Sequence, residues 1–289
     1  GKYVFYRSTD GGLSWSKNSV SYPSQAGGNF KSIYFLNPLV GYIGGFFLTF
    51  SSPRGSVLWT EDGGQSWKTQ DSITSLASKY RKNSQPIIYD FLAVSPNKIY
   101  AVGLDFVENK TPLILSTSDG GLNWEFKMNL KNGRIIEYLP NRLYYPASGY
   151  DDISFVDDQT GFVAGYGGKI RRTDNGGDTW QDLPTGTQRR MRRLNVYDHN
   201  TVAAMADSGM VLLSNDGGIT WKESYPMTDS SAYWGMGFRA SAFSDSKTLW
   251  ISDYNFHLPL PETGFILRTN DLGKTWTNVR ISGSDNDRY

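Results

Sequence analysis

The chain has 289 residues, with 29 Lys and Arg against 28 Asp and Glu, a net charge of +1, 15% aromatic residues, 31 Gly and no Cys. A balanced charge gives no global field for nucleic acid or an anionic membrane, and the aromatic content excludes a disordered chain. Without cysteine, and with His199 and His257 as the only histidines, disulfides, thiol catalysis and cysteine-ligated or multi-histidine metal sites are excluded.

In chain order the first element is a strand over Lys2–Arg7, closed by an octet of the form Ser/Thr-x-Asp-x-Gly-x-polar-Trp. The octet runs from Ser8 to Trp15 and returns at Thr60 to Trp67, Thr117 to Trp124, Thr173 to Trp180, Ser214 to Trp221 and Thr269 to Trp276. Its third position holds Asp10, Asp62, Asp119, Asn175, Asp216 and Asp271, and its fifth is always glycine. An Asp or Asn side chain accepts backbone N–H groups a few residues on, glycine supplies positive φ, and the tryptophan packs its ring beneath the turn. A motif present six times is structural rather than catalytic.

The octet tryptophans recur roughly every 50 residues, the length of one four-stranded propeller blade. Ile87–Val94 reads as an inner strand. The fourth repeat reads as strands over Asp152–Val156, Gly161–Tyr166, Lys169–Thr173 and Trp180–Leu183. The fifth reads as Arg192–Tyr197, Thr201–Ala206, Met210–Ser214 and Trp221–Ser224. The expected architecture is an all-β β-propeller of four-stranded blades with six blades, or seven if one is unmarked. Blades are expected over 23–70, 84–130, 148–184, 189–225 and 237–283, and an incomplete one over 1–22, so a single propeller domain within a longer chain is expected. The apolar run Leu39–Phe50 is too short to span a membrane.

These octets resemble the Asp-box, or BNR, repeat of sialidases, propeller endoglucanases, sortilin-type receptors and photosystem II assembly/stability-factor-like proteins. The fuller phrase Asp158-Gln159-Thr160-Gly161-Phe162-Val163-Ala164-Gly165, then Gly168-Lys169-Ile170 and the octet, is most similar to the last family, and Gly41-Tyr42-Ile43-Gly44-Gly45 echoes it. That resemblance implies a non-catalytic scaffold that docks partner proteins, within a larger membrane-associated assembly, in an extracytoplasmic compartment (periplasmic, cell-surface, secreted or lumenal). It also implies an arginine-rich patch.

Gln188-Arg189-Arg190-Met191-Arg192-Arg193, with Arg171 and Arg172 one strand-set earlier, is the densest charge cluster; from Lys169 to Arg193 there are seven basic and three acidic residues. Guanidinium forks suit carboxylates, and these six arginines are the expected partner-binding rim. Tyr233 and Trp234, on a long connection, are added as an aromatic contact. The alternative reading is a carbohydrate-active propeller, either a glycoside hydrolase or a glycan binder. The sialidase-type Arg-Ile-Pro opening is absent, and none of the six glutamates (Glu61, Glu108, Glu125, Glu137, Glu223, Glu262) falls on an inner strand. Asp90 and Asp152 are the catalytic candidates of that alternative. The aspartates 151, 152, 157 and 158 carry the oxygen ligands calcium prefers, but ordinary turn capping is the preferred reading. No cofactor and no metal is expected.

Overall fold

The computed structural model describes residues 2–21, 28–48, 53–69, 73, 76, 86–95, 97–105, 111–127, 130–131, 134–135, 149–226, 238, 240–254 and 264–279. The octet is the organiser that the sequence suggested. Five of the six join the third strand of a four-stranded antiparallel sheet to its outer strand, and those five sheets run in plain meander order, the order of a propeller blade. The second sheet comprises Gly28–Phe35, Gly41–Leu48, Pro53–Thr60 and Lys68–Thr69. The third comprises Pro86–Ala93, Ile99–Asp105, Thr111–Thr117 and Glu125–Phe126. The fourth is Tyr150–Phe155, Gly161–Gly165, Ile170–Thr173 and Gln181–Leu183. The fifth is Met191–Val196, Val202–Ala206, Val211–Ser214 and Lys222–Ser224; the sixth is Ala240–Phe243, Leu249–Tyr254, Gly264–Thr269 and Thr277–Val279. The first octet stands in a two-stranded sheet, Lys2–Arg7 with Ser16–Ser21. A short hairpin, Leu130–Lys131 with Arg134–Ile135, completes the described strands. Strands expected in the fourth and fifth repeats lie within two residues of those observed.

The chain divides into two compact units, 1–153 with 175–179, and 154–174 with 180–289; the division falls within Tyr150–Phe155. In the first unit Tyr42, Val57, Ile88, Phe91, Ile99, Leu115 and Trp124 form a buried cluster. In the second, two clusters gather around Phe162, Leu194 and Leu212, and around Met205, Leu249 and Leu267. Three of the second strands, Ile99–Asp105, Gly161–Gly165 and Val202–Ala206, are buried along their whole length. They are rich in Gly and Ala because sheets press on both faces; a Cβ on Gly44 would lie 2.2 Å from the Phe91 ring of the next sheet.

The octet turns behave as their chemistry dictates. In the third, the Thr117 hydroxyl donates to Asp119 Oδ1 (2.7 Å) and accepts from Gly121 N–H (3.0 Å), while Asp119 also accepts from Asn123 N–H (2.9 Å) and Asn123 Nδ2 (2.8 Å). Asn175 keeps the backbone acceptor role toward Thr179 N–H (2.9 Å) and reverses the other bond, donating from Nδ2 to the Thr179 hydroxyl (2.9 Å). Positive φ is required at the fourth octet position as well as the fifth, for example 71° at Gly120 and 93° at Gly121. Leu272 takes φ 52° at the fourth position of the last octet, a conformation that costs a residue with a Cβ about 1–2 kcal/mol.

The same fourth residue stitches neighbouring sheets together. Its carbonyl accepts from Arg7 Nη1 at Gly63 (2.8 Å), from the Tyr42 hydroxyl at Gly120, from the Tyr100 hydroxyl at Gly176 (2.5 Å) and from Arg172 Nη1 at Gly217 (3.1 Å). Tyr42, Tyr100 and Phe162 occupy equivalent second-strand positions, opposite Trp59, Ser116 and Arg172. Where phenylalanine removes the hydroxyl, Arg172 stacks over the Phe162 ring (5.5 Å) and supplies the donor instead. Tyr100→Phe leaves the Gly176 carbonyl without its buried donor, and the expected cost is about 1–2 kcal/mol in a urea unfolding curve.

Candidate functional site

All six arginines of the expected rim lie in the second unit, and the fold gives them different work. Arg171 and Arg172 sit in the third strand of the fourth sheet, in register with Asp182 and Gln181 of the outer strand. Arg171 is 10% exposed at its side chain, and its Nε donates to Asp182 Oδ1 at 2.5 Å. Arg172 pairs with Asp174 (2.8 Å) and reaches the carbonyls of Gly217 and His199 (3.1 and 3.3 Å). Both therefore join neighbouring elements and present little free guanidinium to solvent. Arg192, in the first strand of the fifth sheet, pairs with Asp207 at 2.5 Å. The half-buried Arg193 donates to the Arg192 carbonyl (3.3 Å).

Arg189 and Arg190 differ. They lie in the connection 184–190 between the fourth and fifth sheets. Arg190 stacks on Tyr166, its guanidinium carbon 3.7 Å from the ring centroid. Arg189 is exposed, and its side chain has no hydrogen-bond or ion-pair partner among the described residues. Its backbone N–H is held by the Thr187 hydroxyl at 3.2 Å. The connection is pressed against the turn Tyr166–Gly168. Gly168 has φ 71°, the Thr185 hydroxyl donates to its carbonyl (2.7 Å), and a Cβ there would lie 1.9 Å from the Thr187 carbonyl oxygen. A glycine is required for the loop to lie this close. Beside it opens a shallow cavity of about 390 Å³, lined by Gly167, Lys169, Asp182, Thr185 and Gln188 among others.

Neither charge nor motif singles out Tyr166; the signal that could have found it is a tyrosine at the tip of the turn, between the glycines of the Gly165–Gly168 run. The stitching role of Arg172 was also legible, because Arg7, Arg172 and Arg268 each directly precede the first octet residue.

Tyr233 and Trp234 lie outside the described residues. Asp90, within the first strand of the third sheet, is half-buried. Asp152, in the first strand of the fourth, is 8% exposed and its Oδ1 accepts from Ile153 N–H at 3.0 Å. Among the described residues no group of three or more His, Cys, Asp or Glu is placed to hold a metal ion. Asp157 does the capping work, accepting from Thr160 N–H and Gln159 N–H; those bonds, the first above all, hold its carboxyl below the usual range. It also meets His199 Nε2 at 2.9 Å. No helix among the described residues is long and apolar enough to cross a membrane.

Residues 6–17 match the BNR/Asp-box repeat. No curated protein sequence matches the chain. Among solved structures, YCF48 from Cyanidioschyzon merolae is similar with a TM-score of 0.52 at 17% identity, over 89% of this chain and 86% of that one. The Niastella koreensis GH74 enzyme is similar with a TM-score of 0.58 at 14% identity, over 86% of this chain and 38% of that one. A structure of YCF48 bound to D1 peptide has a TM-score of 0.48 at 16% identity, over 88% and 83% of the two chains. Six Asp-box turns, five of them on four-stranded antiparallel sheets, with these likenesses of fold, make the chain an Asp-box β-propeller similar in fold to YCF48.

Proposed function

We propose that the chain is a non-catalytic docking module that binds a protein partner through the Arg189–Arg190 loop, with an extracytoplasmic assembly as its setting. The observation that carries this reading is the contrast within the arginine cluster. Arg171, Arg172 and Arg192 are committed to carboxylates and backbone carbonyls, whereas Arg189, in the same loop as the Arg190–Tyr166 contact, is exposed. The exposed guanidinium of Arg189 can accept a partner carboxylate, so the loop suits an acidic protein segment. The likeness to YCF48 supports a propeller fold for this role; the GH74 likeness supports the same fold in an enzyme, for which Asp90 and Asp152 stand as the candidates.

Arg189→Glu/Arg190→Glu is the informative variant, since reversal at Arg171, Arg172 or Arg192 would also break the fold's own pairs. Affinity capture from an extract of the native source should retain a defined protein with the wild type and lose at least nine-tenths of it with the variant. Equal retention by both removes the loop from the interface. Retention of glycans by both, with loss on Asp90→Asn, moves the assignment to the carbohydrate reading.

A further inference from the structure

A second docking site follows from a difference between the fourth and fifth sheets. In the fourth and fifth sheets the third residue after the octet tryptophan ends the short outer strand and faces the octet of the following sheet. In the fourth sheet this residue is Leu183, which is 8% exposed and packs beneath Gly218 in the cluster that Trp221 joins. In the fifth sheet the equivalent residue is Ser224. Its hydroxyl donates to the Gly273 carbonyl (2.6 Å) and accepts from Trp276 Nε1 (2.8 Å), so the contact with the next octet is kept by hydrogen bonds while the leucine's volume is missing.

The result is a cavity of about 270 Å³. Leu213, Leu272 and Trp276 form its inner wall, and the exposed Lys222, Tyr225 and Lys274 stand at its mouth. Glu223 at the same mouth accepts from the Tyr225 hydroxyl (3.0 Å), leaving a rim with two cations and one engaged carboxylate. Directly alongside runs Lys222–Ser224, the last strand of its sheet, with no described strand on its outer edge.

We propose that this groove takes an extended segment of a partner protein. The segment adds as a strand along Lys222–Ser224, seats a large apolar side chain in the cavity and sets Asp or Glu residues beside Lys222 and Lys274. An edge with no described strand on it can supply main-chain hydrogen bonds, an adjoining pocket selects one side chain, and the cationic rim selects the flanking charges. The site is separate from the Arg189–Arg190 loop and does not depend on it.

The test is selection of random nonapeptides displayed on phage against the whole chain, followed by fluorescence anisotropy with a labelled synthetic copy of an enriched sequence. Expected sequences carry a large aliphatic or aromatic residue flanked by Asp or Glu. Ser224→Leu refills the cavity with the residue that the fourth sheet already accommodates, and should weaken the peptide at least tenfold. Lys222→Glu/Lys274→Glu, on the surface, should do the same and decides the matter alone if circular dichroism shows Ser224→Leu unfolded. Arg189→Glu/Arg190→Glu should leave peptide affinity unchanged. No enrichment, or equal binding to the folded groove variants and wild type, overturns the proposal. Sedimentation that shows a dimer dissolved by either groove variant assigns the groove to a second copy and overturns it too.

Discussion

Trp124→Ala is expected to destabilise the protein by about 3–5 kcal/mol, the range for removing a large aromatic from a packed core. Trp124 is 6% exposed, makes an edge contact with Phe91 (centroids 6.2 Å apart) and donates from Nε1 to the Gly121 carbonyl at 3.1 Å. Trp15 makes the equivalent bond to Gly12 (3.1 Å), yet it is 62% exposed, while Trp67, Trp180, Trp221 and Trp276 are half-buried. The difference is tertiary. Trp67 packs edge-on against Phe5 of the first sheet and Phe35 of its own, with centroids 5.8 and 6.1 Å apart. Trp15→Ala should therefore cost less than about 1 kcal/mol. Urea unfolding followed by circular dichroism measures both, and equal losses would contradict the assignment of the ring's value to its neighbouring sheet.

Acid should unfold the protein through its octets. The carboxyls of Asp119 and Asp271 are held at about 2, from an ordinary 3.8, chiefly by the backbone N–H groups of Asn123 and Thr275. Those of Asp10, Asp62 and Asp216 are held below the usual range, chiefly by the hydroxyls of Ser14, Ser66 and Thr220. Each pKa is depressed in the folded state, so its contribution to stability is fully present above the unfolded value. It is lost as pH falls from about 4 toward 2. The urea midpoint should be level between about pH 5 and 7 and should fall steeply below about pH 4. Asn175 carries no such proton linkage. Asp→Asn at Asp119 and Asp216, which Asn175 shows the turn can accept, should flatten the acid limb while leaving an intact fold at pH 7. An acid limb unchanged in that double variant would place the linkage elsewhere.

Turn, strand and blade were legible in the sequence because their causes are local. Six octets carry an acceptor at the third position and glycine at the fifth, and alternating apolar runs upstream need only the sheet's two-residue period to be read as strands. What the sequence left undivided was the arginine cluster. Charge alone makes Arg171, Arg172, Arg189, Arg190, Arg192 and Arg193 look equivalent, because a guanidinium's partner is set by distance through space. Only the packed sheets bring Asp182 and Asp207 to Arg171 and Arg192, lay Arg172 across Phe162 onto the Gly217 carbonyl, and leave Arg189 exposed beside the Arg190–Tyr166 stack. The exposure of Trp15 and the cavity at Ser224 have the same origin. An octet determines its own turn through bonds within eight residues, whereas whether its ring or its neighbouring pocket is filled depends on a side chain supplied by another sheet.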